Sequence, residues 1–255
     1  MVHVYPERTE TQDELWERYQ RYIDNTIELA DGDDIALLYA GDPTHGTKYA
    51  DAGLMEVDPY EQVKIAAESV YPWLQHRNVR VMRFFSGTAS HVRMGHTLSG
   101  AAVAAMILED FPRFDVDSAH HGRICFKDKV FDIAHHGPSK GSRAWLEGNV
   151  ARYYLRDRMI RDDQLGKDPA HVYLRGHFHV WVYEVLSQLF HGEEYRSILT
   201  VLPSMCGMSD YARQSTKSEM ALTNGIVAYE VIEGEPIRVH PFKDTTDLRV
   251  EETVL

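Results

Sequence analysis

The histidines of this chain fall in groups. Of 14 in 255 residues, nine are clustered: His45, His91 with His96, His120 with His121, His135 with His136, and His177 with His179. Histidine is the commonest protein metal ligand and the side chain most easily set for proton transfer near neutral pH. Aspartate and histidine together suit borderline metals such as Zn, Mn and Fe, whereas Ca or Mg asks for nearly all-oxygen donors. A carboxylate such as Asp42 can bridge two ions, which a histidine does not do. Two ions roughly 3.5–4 Å apart form the clamp used for in-line displacement at phosphorus. A separate histidine can then protonate the leaving oxygen, and His91 is the candidate for that role. Histidines on surface loops with no shared role are the plain alternative. Position along the chain decides between the two.

The elements that must position these residues can be read from periodicity and punctuation. Residues 11–29 form an amphipathic helix with Leu15, Tyr19, Tyr22, Ile23 and Ile27 on one side. The apolar run 35–40 suits a buried strand and ends in the polar turn Gly41-Asp42-Pro43-Thr44-His45-Gly46. Asp58-Pro59-Tyr60-Glu61 opens a helix with a capping Asp, Pro at its first position and Glu at its third; Pro72 should end or kink it. A second strand, 79–85, runs into a turn that carries His91. Residues 99–109 are small and apolar all round, a buried helix capped by Ser99, and His120 and His121 follow in a loop. A hairpin over 124–134 turns at Lys127-Asp128 and delivers His135-His136-Gly137. Ser142 caps a helix running to about Gln164, and the strand 171–174 ends in Arg175-Gly176-His177-Phe178-His179. Residues 180–242 read as mostly β, with runs at 198–202 and 226–232 and a final hairpin turning at 233–236. Four short strands thus each end in a turn carrying Asp or His. In layered α/β proteins, ligand sites gather at the carboxyl ends of strands. The fold class is therefore α+β or α/β, one domain over 1–255, with the polar tail 244–255 read as loose.

Composition removes several classes. Lys and Arg total 27 against 39 Asp and Glu, a net charge of −12, which argues against indiscriminate coating of nucleic acid. No apolar run reaches about 18 residues, so no membrane-spanning helix is expected. Cys125 and Cys206 form no C-x-x-C pair and the N-terminus carries no signal pattern, so a reducing, cytoplasmic setting is the simplest one.

Gly41-Asp42, Gly87-Thr88-Ala89-Ser90-His91, His136-Gly137 and Gly176-His177-Phe178-His179 come in this order, each after a strand. In this the chain resembles the calcineurin-like metallophosphoesterases, and the G-T-x-x-H and A-H-H-G variants look most like phosphoesterases of bacteriophage and prophage genomes. The resemblance covers residues 35–232. It implies a four-layer α-β-β-α sandwich, two divalent ions (Mn, Fe, Zn or Ni) at the strand ends, and hydrolysis of a phosphodiester or phosphomonoester by metal-activated water. Carried over, Asp42 is the bridging carboxylate, His136 and His177 bind the second metal and His179 the first. His91 takes the place of the substrate-facing histidine, and His135 replaces His136 if the adjacent pair aligns one residue differently. Lys140 and Arg143, just after the His136 turn, are candidates for holding substrate phosphate. The substrate class stays open among phosphoesters, nucleotide and nucleic acid included.

Two departures stand against that pattern. The family opens on an Asp-x-His strand that supplies two ligands to the first metal, and nothing before Asp42 has that form; Met1-Val2-His3-Val4-Tyr5 is nearest. Either the chain starts after this strand, or His3 or His45 compensates, or the first site is empty. The asparagine ligand is also missing, with Thr88 or Ser90 nearby. Two readings follow: a metal-dependent phosphohydrolase, and a phosphoesterase scaffold kept as a binding or assembly module. Other features have simpler explanations. Arg152, Arg156, Arg158 and Arg161 interleave with Asp157, Asp162 and Asp163 as a solvated, ion-paired helix face. Trp73, Trp145 and Trp181 read as core or rim packing, and the two cysteines as packing thiols.

Overall fold

A computed structural model describes residues 9–46, 58–94, 97–139, 148–207 and 221–247. Helix α1 (Glu10–Ala30) begins at a capping box: Thr9 accepts from the Gln12 amide while the Gln12 side chain accepts from the Thr9 amide. It ends where Asp31 turns left-handed, and strand β1 (Ile35–Tyr39) follows. Helix α2 (Pro59–Leu74) starts as its sequence dictates, Asp58 accepting from the amides of Tyr60 and Glu61. Pro72 does not end it. Standing in the last turn, the proline removes a single helical bond, and the helix continues through Leu74.

Strand β2 (Val79–Phe85) leads through the short α3 (Ala89–Val92) and the strands β3 (Arg93–Met94) and β4 (Thr97–Leu98) to α4 (Ser99–Asp110). Strand β5 (Asp115–Ala119) then pairs parallel to β2, which itself pairs parallel to β1. The hairpin of β6 (His121–Phe126) and β7 (Lys129–Ala134) turns at Lys127, whose φ is +53°. Helix α5 (Asn149–Gln164) starts after Gly148; Ser142, read as its cap, lies outside the described residues. Strands β8 (Val172–Arg175), β9 (Val182–Phe190) and β10 (Glu193–Val201) complete a five-stranded sheet of order β6-β7-β8-β10-β9. The last hairpin joins β11 (Ala221–Glu230) to β12 (Arg238–Asp247). Residues 244–247, read as part of a loose tail, are held in β12: Asp244 accepts from Tyr22 Oη at 2.6 Å and pairs with Arg21.

The chain is thus a mixed α/β protein with several sheets. Three groups of buried side chains hold it together. Ile23 of α1, Val63 and Ala67 of α2 and Ile107 of α4 pack on Met82 and Phe84 of the β1-β2-β5 sheet. Phe85, Phe131, Ile133 and Leu174 fill the space between the two larger sheets. On the far face of the five-stranded sheet, Leu155 and Met159 of α5 pack on Tyr173 and Leu199. Burying such side chains is the main favourable term in folding. Residues of β1 and of β11 line one cavity of about 2090 Å³, which Asp42, His135 and His177 at the strand ends also line. No helix among the described residues is long and apolar enough to cross a membrane.

Candidate metal centre

Strands β1 and β2 run parallel in one sheet, β7 and β8 in the other, and their carboxyl ends meet at one rim. Asp42 follows β1, Thr88 follows β2, His135 and His136 follow β7, and His177 and His179 follow β8. Asp42, His177 and His179 sit at left-handed φ of +49°, +76° and +52°. Such backbone costs non-glycine residues of order 1–3 kcal/mol each and is kept where side-chain placement matters. The other described non-glycine residues of this kind lie at helix or hairpin turns: Asp31, Lys127 and His191.

His135, His136 and His177 each offer a ligand atom within 4.8 Å of the others. His135 is 3% exposed, and its Nδ1–H donates to the Ala40 carbonyl at 2.8 Å. That bond fixes the tautomer and leaves the Nε2 lone pair facing the cleft. There it stands 3.0 Å from Asp42 Oδ2 and 3.2 Å from His177 Nδ1. A lone pair and a carboxylate oxygen at that distance repel unless a proton or a cation joins them. Two nitrogens on one tetrahedral zinc stand about 3.3 Å apart, so the donor set fits a borderline divalent metal. Thr88 Oγ1 lies 3.2 Å from both His135 Nε2 and His177 Nδ1 and 3.3 Å from Asp42 Oδ2. Of the two hydroxyls considered in place of the missing asparagine, Thr88 is thereby seen in the cluster; nothing is described of the Ser90 side chain.

Burial pushes the Asp42 carboxyl up, but a second proton on the His135 ring, donated from Nε2 to Asp42, with the charges of His135 and His91 and the Thr88 amide (2.6 Å from Oδ1), outweighs it and holds it below the usual range. For His177, burial and then the neighbouring His135 and His136 push the pKa down to about 4, so its ring is neutral, as a ligand must be, at physiological pH. Burial pushes His179 down, yet the bond to Cys206 and the charges of Cys206 and Asp42 raise it above its ordinary value. His91 Nδ1–H donates to the His45 carbonyl at 2.5 Å, and the Thr44 hydroxyl donates to the His91 carbonyl at 2.6 Å. His91 lines the same cavity as Asp42, His177 and His179.

The pair at 135–136 is divided by alternation along β7. His135 shares parity with the inward Phe131 and Ile133, while His136 is exposed. That parity is readable in the sequence and points to His135 as the inner member. His121, read as part of a surface pair, is exposed and bonds Asp132 at 2.9 Å instead of entering the site. Arg152, Arg158 and Arg161 pair with Glu184 and Asp157 on the α5 face, as such an interleaved pattern suggests. Trp73 is buried and donates to Tyr19 Oη at 2.8 Å. Lys140, Arg143, His3, His96 and Trp145 lie outside the described residues. Sequence reasoning missed Cys206, whose Sγ stands 3.2 Å from His179 Nδ1. Part of the signal was local, since Cys206 follows the apolar run at 198–202, but the parallel pairing of β10 with β8 that brings it to His179 is seen only in the fold.

Gly87 ties the second turn to the first. A Cβ there would stand 1.8 Å from Asp42 Oδ1 and 2.4 Å from the Asp42 amide. Gly87→Ala is therefore expected to displace the carboxylate and the Asp42 backbone together, weakening metal binding about 10-fold or more and lowering the unfolding midpoint as well. Calorimetric metal titration beside a thermal melt checks this; an unchanged affinity would show that the close approach does not set Asp42.

Compared with models of known protein families and with curated protein sequences, the chain matches none.

Proposed function

We propose that this protein is a metal-dependent phosphohydrolase of the calcineurin-like metallophosphoesterase type, acting on a phosphodiester or phosphomonoester. The observation that carries the reading is the convergence of Asp42, Thr88, His135 and His177, from four strand ends, on contacts of 2.6–3.3 Å. The three cores, helices against sheet, sheet against sheet and α5 against sheet, support the four-layer α-β-β-α sandwich of that family.

Asp42, His135 or His136, and His177 would hold one divalent ion, and Asp42 with His179 a second. Bound ions of this kind supply charge neutralisation on the phosphoryl oxygens and activation of water. The remaining work belongs to the chain. The depressed Asp42 carboxyl stays ionised at neutral pH, and the bond from His135 Nδ1 to Ala40 keeps its other nitrogen turned to the cleft. The bond from His91 Nδ1–H to the His45 carbonyl leaves Nε2 as the nitrogen that takes up a second proton, and the doubly protonated ring would give that proton to the leaving oxygen and return to the neutral tautomer. A net charge of −12 leaves a local cationic centre as the attraction for phosphate, whether on a nucleotide, a nucleic acid or a small ester. A reducing, cytoplasmic setting fits the two unpaired cysteines.

Elemental analysis of the purified protein, beside hydrolysis of a bis-aryl phosphate with added Mn, tests the reading. Bound metal and turnover that a chelator abolishes are expected, with both lost in His177→Ala. A wild-type protein that binds no metal and hydrolyses nothing would leave the scaffold as a binding module.

A further inference from the structure

The first metal position has only Asp42 and His179 from the motifs the sequence supplies, and two protein ligands hold an ion weakly. Cys206 is placed to add a third. Its Sγ stands 3.2 Å from His179 Nδ1 and 3.1 Å from Ser204 Oγ. A nitrogen and a thiolate on one tetrahedral zinc, at about 2.0 and 2.3 Å from the ion, lie about 3.5 Å apart. The observed pair is within a few tenths of an ångström of that spacing. Cys206, His179 and Asp42 line the same cavity.

The Cys206 turn is held in place. Leu202 N–H donates to the Arg175 carbonyl at 2.7 Å, extending the β8–β10 ladder past its end, so the turns after the two strands start side by side. Asn224, 1% exposed, donates its side-chain amide to the carbonyls of Ser204 at 3.0 Å and Cys206 at 2.9 Å. A buried amide satisfied in this way fixes the loop and with it the direction of the thiol. His179 is held from its own side by left-handed backbone at φ +52°.

We propose that Cys206 is a ligand of the first metal, alongside His179 and Asp42, giving a mixed sulfur, nitrogen and oxygen site that selects zinc over manganese or magnesium. The inference rests on the metal-dependent reading above and adds a ligand that this reading does not contain. Soft thiolate favours zinc, whereas carboxylate-rich sites suit Mn and Mg. Binding forms the metal–sulfur bond and breaks the Cys206 S–H bond, with the proton released to buffer.

The test uses cobalt(II) as the probe, in the full chain carrying Cys125→Ser so that Cys206 is the only thiol left. Two cobalt ions per chain and a near-ultraviolet sulfur-to-cobalt charge-transfer band are expected. Adding Cys206→Ser should remove the band, lower the stoichiometry towards one, and weaken the lost site by about 10-fold or more. Zinc should also protect Cys206 from alkylation by iodoacetamide, a readout that does not depend on how the serine variant folds. One or two bound ions with no charge-transfer band and no protection would overturn the thiolate ligand and leave the phosphohydrolase reading intact. Absence of any bound metal would overturn both.

Discussion

Asp42→Asn is expected to lower phosphoester hydrolysis at least about 100-fold while leaving the fold in place. Groups that merely orient a ligand already cost 10- to 100-fold when removed, and Asp42 is the one carboxylate proposed for both ions. The substitution separates charge from shape. Asparagine keeps the acceptor that the Thr88 amide uses at 2.6 Å, and it tolerates the left-handed backbone at φ +49° better than most residues. What it removes is the negative charge that faces His135 Nε2 at 3.0 Å and raises the pKa of His179. Loss of bound metal with an unchanged thermal midpoint is the expected pattern. Full activity in the variant would show that the carboxylate does not take part, and the bridging role would then be abandoned.

Most of what positions Asp42 could be read without coordinates. The apolar runs that became β1 and β2 end in polar turns, the Asp58-Pro59 start of α2 is chemically explicit, and the hairpin at Lys127 carries its own turn residues. Such signals are local, so they survive in a single sequence. Strand β5 was not legible: its alternating acids in Asp115-Val116-Asp117-Ser118-Ala119 resemble a loop, and it is the ladder to β2 that makes it a strand. The start of α5 was misplaced because nothing caps it; Gly148 supplies a left-handed turn instead of a side-chain acceptor. At the site, motif order placed the aspartate and the histidines near one another. The choice between His135 and His136 needed strand parity, and the approach of Cys206 to His179 needed the parallel pairing of β8 with β10. Long-range pairing is what a sequence read piece by piece does not contain.

The burial of Arg175 could not be seen from the sequence either, and it carries the largest expected effect on stability. Its side chain is 1% exposed, immediately before the Gly176-His177 turn. Nη2 donates to Asp132 Oδ1 at 2.5 Å, Nη1 to the carbonyls of Asp132 and Leu174, and Nε to Tyr154 Oη at 2.7 Å. Gly137, just past His136, has no Cβ because one would stand 2.4 Å from Arg175 Cβ. The ion pair thus joins the ends of β7 and β8, the strands that deliver His135 and His177. Asp132→Ala leaves the guanidinium buried without its counter-charge, and removing one partner of such a pair costs about 3–5 kcal/mol. For a chain of this size that lowers the melting midpoint by roughly 10 °C. Replacing both partners by apolar residues, Asp132→Leu with Arg175→Met, should recover much of the loss, since it removes the stranded charge as well as the pair. The pH dependence has a defined sign. Burial pushes the Asp132 carboxyl up, but the His121 hydrogen bond and Arg175 outweigh it and hold it below the usual carboxylate value. A depressed folded-state pKa contributes stability above the unfolded value of about 3.9, and that contribution is lost as pH falls through the folded value. The gap between wild type and Asp132→Ala, measured by urea unfolding, should be full at pH 7 and shrink steadily below about pH 4. A gap under about 1 kcal/mol at pH 7, or one that widens in acid, would show that the pair does not hold the two strand ends together.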